Sequence, residues 1–304
     1  PHPPKGSPAS PATALRSTIA GMHLSRYALS WSGPALGIFC ALLFAWRVLA
    51  ADTGRPPLAG YTVAWATVLA SLLAGVAALR SRLSPALACM LQAGALATAS
   101  SALGLQHWHL VFKPLAMVCA MLAVALNMQR HGGQQDRWLL LAALAASLAG
   151  DVFLMLPGLF IPGLAAFLLA HVCYIALFKQ GSRWFALRSA LAFALLLGVA
   201  MYAFLWRGGL PATLRLPVAA YVLVIALMAA QAWGRWHETP RADRPAALLV
   251  ALGSCSFMLS DSLLAINRFV QPLPWSQLGV LSSYYVAQVL IVVGMLCAMR
   301  AAPR

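Results

Sequence analysis

Two of the six acidic residues lie where a charge is hard to keep: Asp151 inside WLLLAALAASLAGDVFLML and Asp261 inside AALLVALGSCSFMLSDSLLAI. Asp52, Asp136, Glu238 and Asp243 fall in predicted loops, where water solvates the charge. A carboxylate near the middle of a membrane helix costs about 2.5–3.5 kcal/mol on insertion scales, so an acid kept there marks a candidate site. Two carboxyl groups in one low-dielectric pocket do not both ionise readily. One stays protonated and can donate a proton, while the other can steady a cation or orient water. The plainer alternative makes both acids polar contacts that join helices.

Other groups gather at similar depth. His171 is the only one of seven histidines placed well inside a predicted span. Phe167, His171 and Tyr174 share a helical face, as do Ser147 and Asp151. Lys113, in HLVFKPLAM, sits just inside a helix end with Pro114 behind it; snorkelling to the interface is its plainer role. Tyr284, Tyr285 and Gln288 fall on the last helix, where tyrosine also serves interfacial belts. At 1.5 Å per residue, both aspartates lie roughly 21–24 Å into helices that start on the same face, so they meet at one level. Asp151, Asp261 and His171 are therefore the catalytic candidates. Lys113, Ser147, Tyr174, Tyr284, Tyr285 and Gln288 are the candidates for binding.

The elements that must hold these residues are membrane helices. Of the 304 residues, 62% are hydrophobic and 9% charged, and mean hydropathy is +0.81; soluble domains are roughly 25% charged. Apolar runs predict ten helices, at roughly 27–51, 61–79, 84–104, 109–128, 137–156, 159–178, 184–206, 214–234, 245–267 and 277–299. The third and fourth share one apolar stretch, with a break expected near His107–His109. Residues 1–26, rich in Pro, Ser and Ala, are expected to form a disordered tail, with Met22 nearer the natural start. Two additional helices occupy 27–83, and an eight-helix membrane domain follows over 84–304.

The net charge of +15 does not indicate nucleic acid, because the basic residues form no stripe interleaved with aromatics. They sit in short loops. With ten spans, fifteen of the 21 lie on the side of both termini and six (Arg47, Arg55, Lys113, Arg207, Arg215, Arg268) on the other. The positive-inside rule puts both termini in the cytoplasm, and the Ala-, Leu- and Arg-rich composition points to a bacterial inner membrane. The six cysteines all lie in apolar segments without metal or redox spacing, and are expected to be small buried hydrophobes. Neither HExxH, GxSxG nor a phosphate-cradling glycine loop is present, which weighs against metalloproteases, common serine hydrolases and P-loop pumps.

SLAGDVFLMLPGLF (147–160) and FMLSDSLLAINRF (257–269) echo each other, so helices three to six and seven to ten are candidates for two parallel units. Five short motifs, FKP (112–114), SLAGD (147–151), FLLAHVCY (167–174), SFMLSD (256–261) and YYVAQ (284–288), resemble the lysoplasmalogenase-like YhhN membrane family in order and spacing. The resemblance covers roughly residues 84–304. It implies hydrolysis of the vinyl-ether bond of lysoplasmalogens, giving a fatty aldehyde and a glycerophospho-alcohol, with Asp151, Asp261 and His171 functional. Such chemistry protonates the alkene carbon, forms an oxocarbenium ion and adds water. Glycosidases meet a similar ion with a carboxyl pair. His171 would steer a carboxylate or relay a proton, and Lys113 would hold the lipid phosphate; no metal or organic cofactor is required. The implied partners are the lysophospholipid and membrane lipid. Two rivals use the same acids: a proton-coupled transporter, which calls for helices broken at midspan, and a membrane protein without turnover, in which both acids are helix contacts.

Overall fold

The computed structural model describes residues 32–50, 58–80, 83–127 and 134–301, so the expected N-terminal tail lies outside the described residues. Those residues form ten α-helices and no strand. They are α1 (Ser32–Leu49), α2 (Leu58–Leu79), α3 (Pro85–Ala102), α4 (Gln106–Leu126) and α5 (Gln134–Met155). After them come α6 (Phe160–Lys179), α7 (Arg188–Arg207), α8 (Arg215–Glu238), α9 (Arg244–Phe269) and α10 (Ser276–Ala301). Among the described residues, nine helices are long and apolar enough to cross a membrane. The tenth, α3, carries Gln92, Thr98, Ser100 and Ser101, and packs between α2, α4 and α10 rather than against lipid. The chain is a polytopic helical membrane protein.

Local signals explain the helix ends near the site. Ser84 caps α3, its hydroxyl accepting from the Leu87 N–H, and Pro85 fills the first helical position. The break between α3 and α4 comes earlier than the sequence led us to expect. Gly104 adopts φ +72°, a conformation glycine takes without a side-chain clash, and turns the chain at Leu103–Leu105. His109 is consequently inside α4. Asp136 and Glu238, expected in loops, stand in the first turn of α5 and at the end of α8.

Seven helices close a ring, in the order α3, α4, α5, α6, α8, α9, α10 and back to α3. The short connections α3–α4, α5–α6 and α9–α10 lie at one end of this ring. Outside it, α7 leans on α8, and α2 packs on α3. The α3-for-α7 equivalence demanded by two parallel units is absent at the level of packing, since α3 belongs to the ring and α7 does not. The cysteines also differ from expectation: none is fully buried, and Cys297 is exposed on the bundle surface.

One buried side chain hydrogen-bonds to both N-terminal helices, which also pack on α3 through an apolar cluster around Phe44. Buried Gln92 of α3 donates through Nε2 to the Pro34 carbonyl of α1 and the Ser71 carbonyl of α2, both at 3.0 Å. Gly37 makes room for it, because a Cβ there would overlap the Gln92 amide. Replacing Gln92 with Leu should lower stability by about 1–3 kcal/mol, the usual loss for a buried hydrogen-bonded group. Thermal unfolding in detergent measures this. An unchanged unfolding temperature would show that the clasp contributes nothing.

Candidate active site

Asp151 stands one turn from the end of α5, 2% exposed, with both oxygens engaged. Oδ1 lies 3.2 Å from Lys113 Nζ of α4, and Oδ2 accepts from the Tyr284 hydroxyl of α10 at 2.7 Å. The same hydroxyl lies 3.3 Å from Met117 Sδ. Lys113 is 7% exposed, so it does not snorkel to the interface; its charge is met inside the bundle. Pro114 follows it without breaking α4. Lacking an N–H, this proline leaves the Leu110 carbonyl without its helical donor, and Leu110 lines the cavity described below. Gly150 lets α6 approach, since a Cβ there would overlap the Phe167 ring.

Asp261, on α9, has a different shell. Its Oδ2 accepts from the Tyr221 hydroxyl of α8 at 2.6 Å, and among the described residues no Lys or Arg forms an ion pair with it. His171 Nε2 of α6 lies 3.9 Å from the same oxygen, beyond hydrogen-bond reach. The His171 ring is wholly buried, and neither nitrogen has a hydrogen-bond partner. Phe257 holds it edge-on at 4.7 Å between centroids and also meets Phe167, Tyr174 and Tyr284, so one apolar ring ties the surroundings of both acids together.

Both acids line one cavity of about 290 Å³ that opens to solvent. Lys113, Tyr284, His109 and Phe167 share its wall, and Ser101, Gln106 and Gln277 stand toward the end carrying the α3–α4 and α9–α10 connections. Asp261, Phe167, Leu154 and Leu264 also border a second, smaller cavity of about 80 Å³ between α6, α7, α8 and α9, whose lining is almost wholly apolar. Asp261 thus stands on the seam between a polar and an apolar chamber. Among the described residues, no group of three His, Cys, Asp or Glu side chains is placed to hold a metal ion.

Not every expected site residue comes to the cavity. Tyr174 donates to Gln288 Oε1 at 2.7 Å, with Ser147 beside its hydroxyl; this fully buried layer lies deeper than the acids. Tyr285 faces the groove between α2, α3 and α10. Two residues that sequence reasoning passed over do come in. Tyr221 is a phenol at the depth of Asp261, which the same depth argument applied to α8 would have found. His109 Nδ1 donates to the Ala97 carbonyl of α3 at 3.0 Å, leaving Nε2 as its free nitrogen; placing it required the turn at Gly104.

A closed helical ring with two acids on one cavity, one of them also bordering an apolar chamber, defines a polytopic membrane protein with a buried polar site. The chain belongs to the YhhN family, whose model matches residues 108–295. It is 35% identical to human lysoplasmalogenase TMEM86B over 153 residues, 50% of this chain and 61% of the relative. Bovine lysoplasmalogenase TMEM86A is 33% identical over 150 residues, 49% of this chain and 61% of its own. The lysoplasmalogenase of Mycobacterium tuberculosis is 30% identical over 182 residues, 58% and 66% of the two chains. The chain thus spans less than two thirds of the curated relatives it matches. No solved structure matches it.

The buried ion pair yields a direct test. Lys113→Met strands the Asp151 charge and should reduce stability by about 3–5 kcal/mol, as when one partner of a buried pair is removed. Adding Asp151→Leu should restore most of the loss while leaving the site inert. Unfolding temperatures of the single and double variants decide it: a double variant no more stable than the single would show that the stranded charge was not the source.

Proposed function

We propose that this protein is an integral membrane hydrolase that cleaves the vinyl-ether bond of lysoplasmalogens, releasing a fatty aldehyde and a glycerophospho-alcohol such as glycerophosphoethanolamine or glycerophosphocholine. The observation that carries this reading is the shared cavity lined by Asp151 and Asp261. The family relationship and the similarity to lysoplasmalogenases support the substrate class.

The unequal shells of the two acids divide the labour. Asp151, paired with Lys113 and held by Tyr284, serves as the carboxylate. Asp261 serves as the general acid: Tyr221 occupies Oδ2, leaving Oδ1 to carry the proton to the alkene carbon. The electron pair of the double bond takes that proton, and the ether oxygen shares the resulting positive charge. Asp151 steadies this oxocarbenium ion and takes a proton from the attacking water. The hemiacetal then collapses, its hydroxyl proton passing to the departing glycerol oxygen, and the proton taken from water restores Asp261. His171, set beside Asp261 by Phe257 and Tyr221 with both nitrogens unpartnered, is placed to steer that carboxyl once the 3.9 Å gap closes to a hydrogen bond. Lys113 acts through Asp151, so the head group is left to the neutral donors Ser101, Gln106 and Gln277.

On the positive-inside count the cavity mouth faces away from the cytoplasm and both termini lie within it. The transporter reading lacks the broken helices it calls for: among the described residues α5 and α9, which bear the acids, run without interruption.

Purified protein given a 1-alkenyl-lysophospholipid should release fatty aldehyde. Asp151→Asn and Asp261→Asn should each lower the rate by at least ~100-fold, the scale of a lost acid or base. Folded variants with full activity would end the carboxylate mechanism. In heavy water, the aldehyde trapped by reduction should carry one deuterium on the carbon next to the former carbonyl. Aldehyde without that label would rule out alkene protonation.

A further inference from the structure

The apolar chamber between α6, α7, α8 and α9 takes no part in the chemistry above, yet it touches the general acid. Its wall is built from Leu164, Leu197, Met201, Val222, Ile225 and Met258, with Asp261 and Tyr221 at one side. Toward the mouth end it is roofed: the Arg268 guanidinium lies 3.9 Å from the centre of the Phe160 ring, and Phe160 meets Phe269 edge-on at 5.8 Å.

A side opening is favoured by how α7 is mounted. This helix is the least buried of the nine candidate spans and presents Phe193, Leu196, Val199 and Phe204 outward. It packs on α8 rather than on α6. At its other end the preceding loop is fixed firmly to α8. Gln231 Oε1 accepts from the Phe185 N–H, and Arg235 donates to the Leu177 and Gln180 carbonyls at the end of α6. Any parting of α6 and α7 therefore falls away from that anchored end, beside the chamber.

We infer that this chamber is the site of a single aliphatic chain, loaded sideways from the bilayer between α6 and α7, and that its size sets which chain lengths are accepted. The occupant follows from continuity: a chain leaving the seam at Asp261 enters an apolar wall, while the polar remainder of the same molecule stays in the chamber lined by Lys113 and Gln106. The chamber is small, about 80 Å³, and its lining is almost wholly apolar, so a slim unbranched chain is the occupant it admits as α6 and α7 part. The large groove between α2, α3 and α10 is the competing apolar surface, but neither aspartate borders it. The inference rests on the hydrolase reading for the identity of the lipid alone.

The decisive probe is an uncleavable saturated alkyl-lysophosphocholine carrying a diazirine near the chain end, photolysed with the whole protein in nanodiscs. Peptide mapping should place label on α7, α8 and α9 around Leu197, Ile225 and Met258, displaced by unlabelled alkyl lipid. Label in the α2–α3–α10 groove, or spread evenly over the lipid-facing surface, overturns the assignment. Because the probe is not hydrolysed, an inactive protein labelled in the chamber would sink the hydrolase reading and leave this one standing. In turnover, Ala265→Phe, which fills the chamber, should raise KM for octadecenyl substrate roughly tenfold while sparing decenyl substrate, as expected when a pocket loses room for methylenes. Ala66→Phe in the other groove should change neither. Equal loss at every chain length would count against a chain site.

Discussion

An ion pair in a hydrocarbon surrounding has to be completed by protein, because lipid offers it nothing. That constraint organises this bundle. Asp151 and Lys113 satisfy each other, Tyr284 supplies the second hydrogen bond, and in doing so they tie α5, α4 and α10 at one depth. A buried pair of this kind gains little over apolar packing, and removing one member is severe. Its retention fits a task for the charge beyond holding helices together.

Around that fixed point the ring keeps its two acids unlike each other. Asp151 has a cation and a phenol; Asp261 has a phenol, an uncoupled imidazole and a foot in an apolar chamber. The difference comes from which helix lies beside each acid, since α4 brings a lysine to one and α8 a tyrosine to the other. Two identical side chains acquire separate surroundings through their neighbours. The aromatic contacts of Phe257 keep the arrangement rigid, because its ring is wedged among residues from α6 and α10 as well as its own helix.

Much of this was legible in the sequence, and the failures have physical reasons. The expense of an intramembrane carboxylate singled out Asp151 and Asp261 without any knowledge of packing. Apolar length set the helix count, although α3, sheltered between other helices, keeps polar residues that a lipid-facing span would exclude. Depth alone could not give direction around the helix axis. Tyr284 and Tyr285 are adjacent and about 100° apart on the helix, so one reaches Asp151 and the other faces a different groove. Gln288, one helical turn deeper than Tyr284, meets Tyr174 instead. The partnership of Lys113 depended on which helices become neighbours in the ring, which no local pattern encodes. His109 was misplaced because the turn hangs on the positive φ of Gly104, five residues upstream.

The roof of Phe160, Arg268 and Phe269 has a consequence for what happens after bond cleavage. A chamber capped by these rings and lined almost wholly by apolar side chains would give the two halves of a split amphiphile different exits. Under the proposed reaction the polar fragment drains outward past Gln106 and Gln277, while the reactive aldehyde is surrendered to the bilayer without crossing an aqueous phase. Partitioning would then drive the step forward, each product being carried off into the medium that dissolves it best.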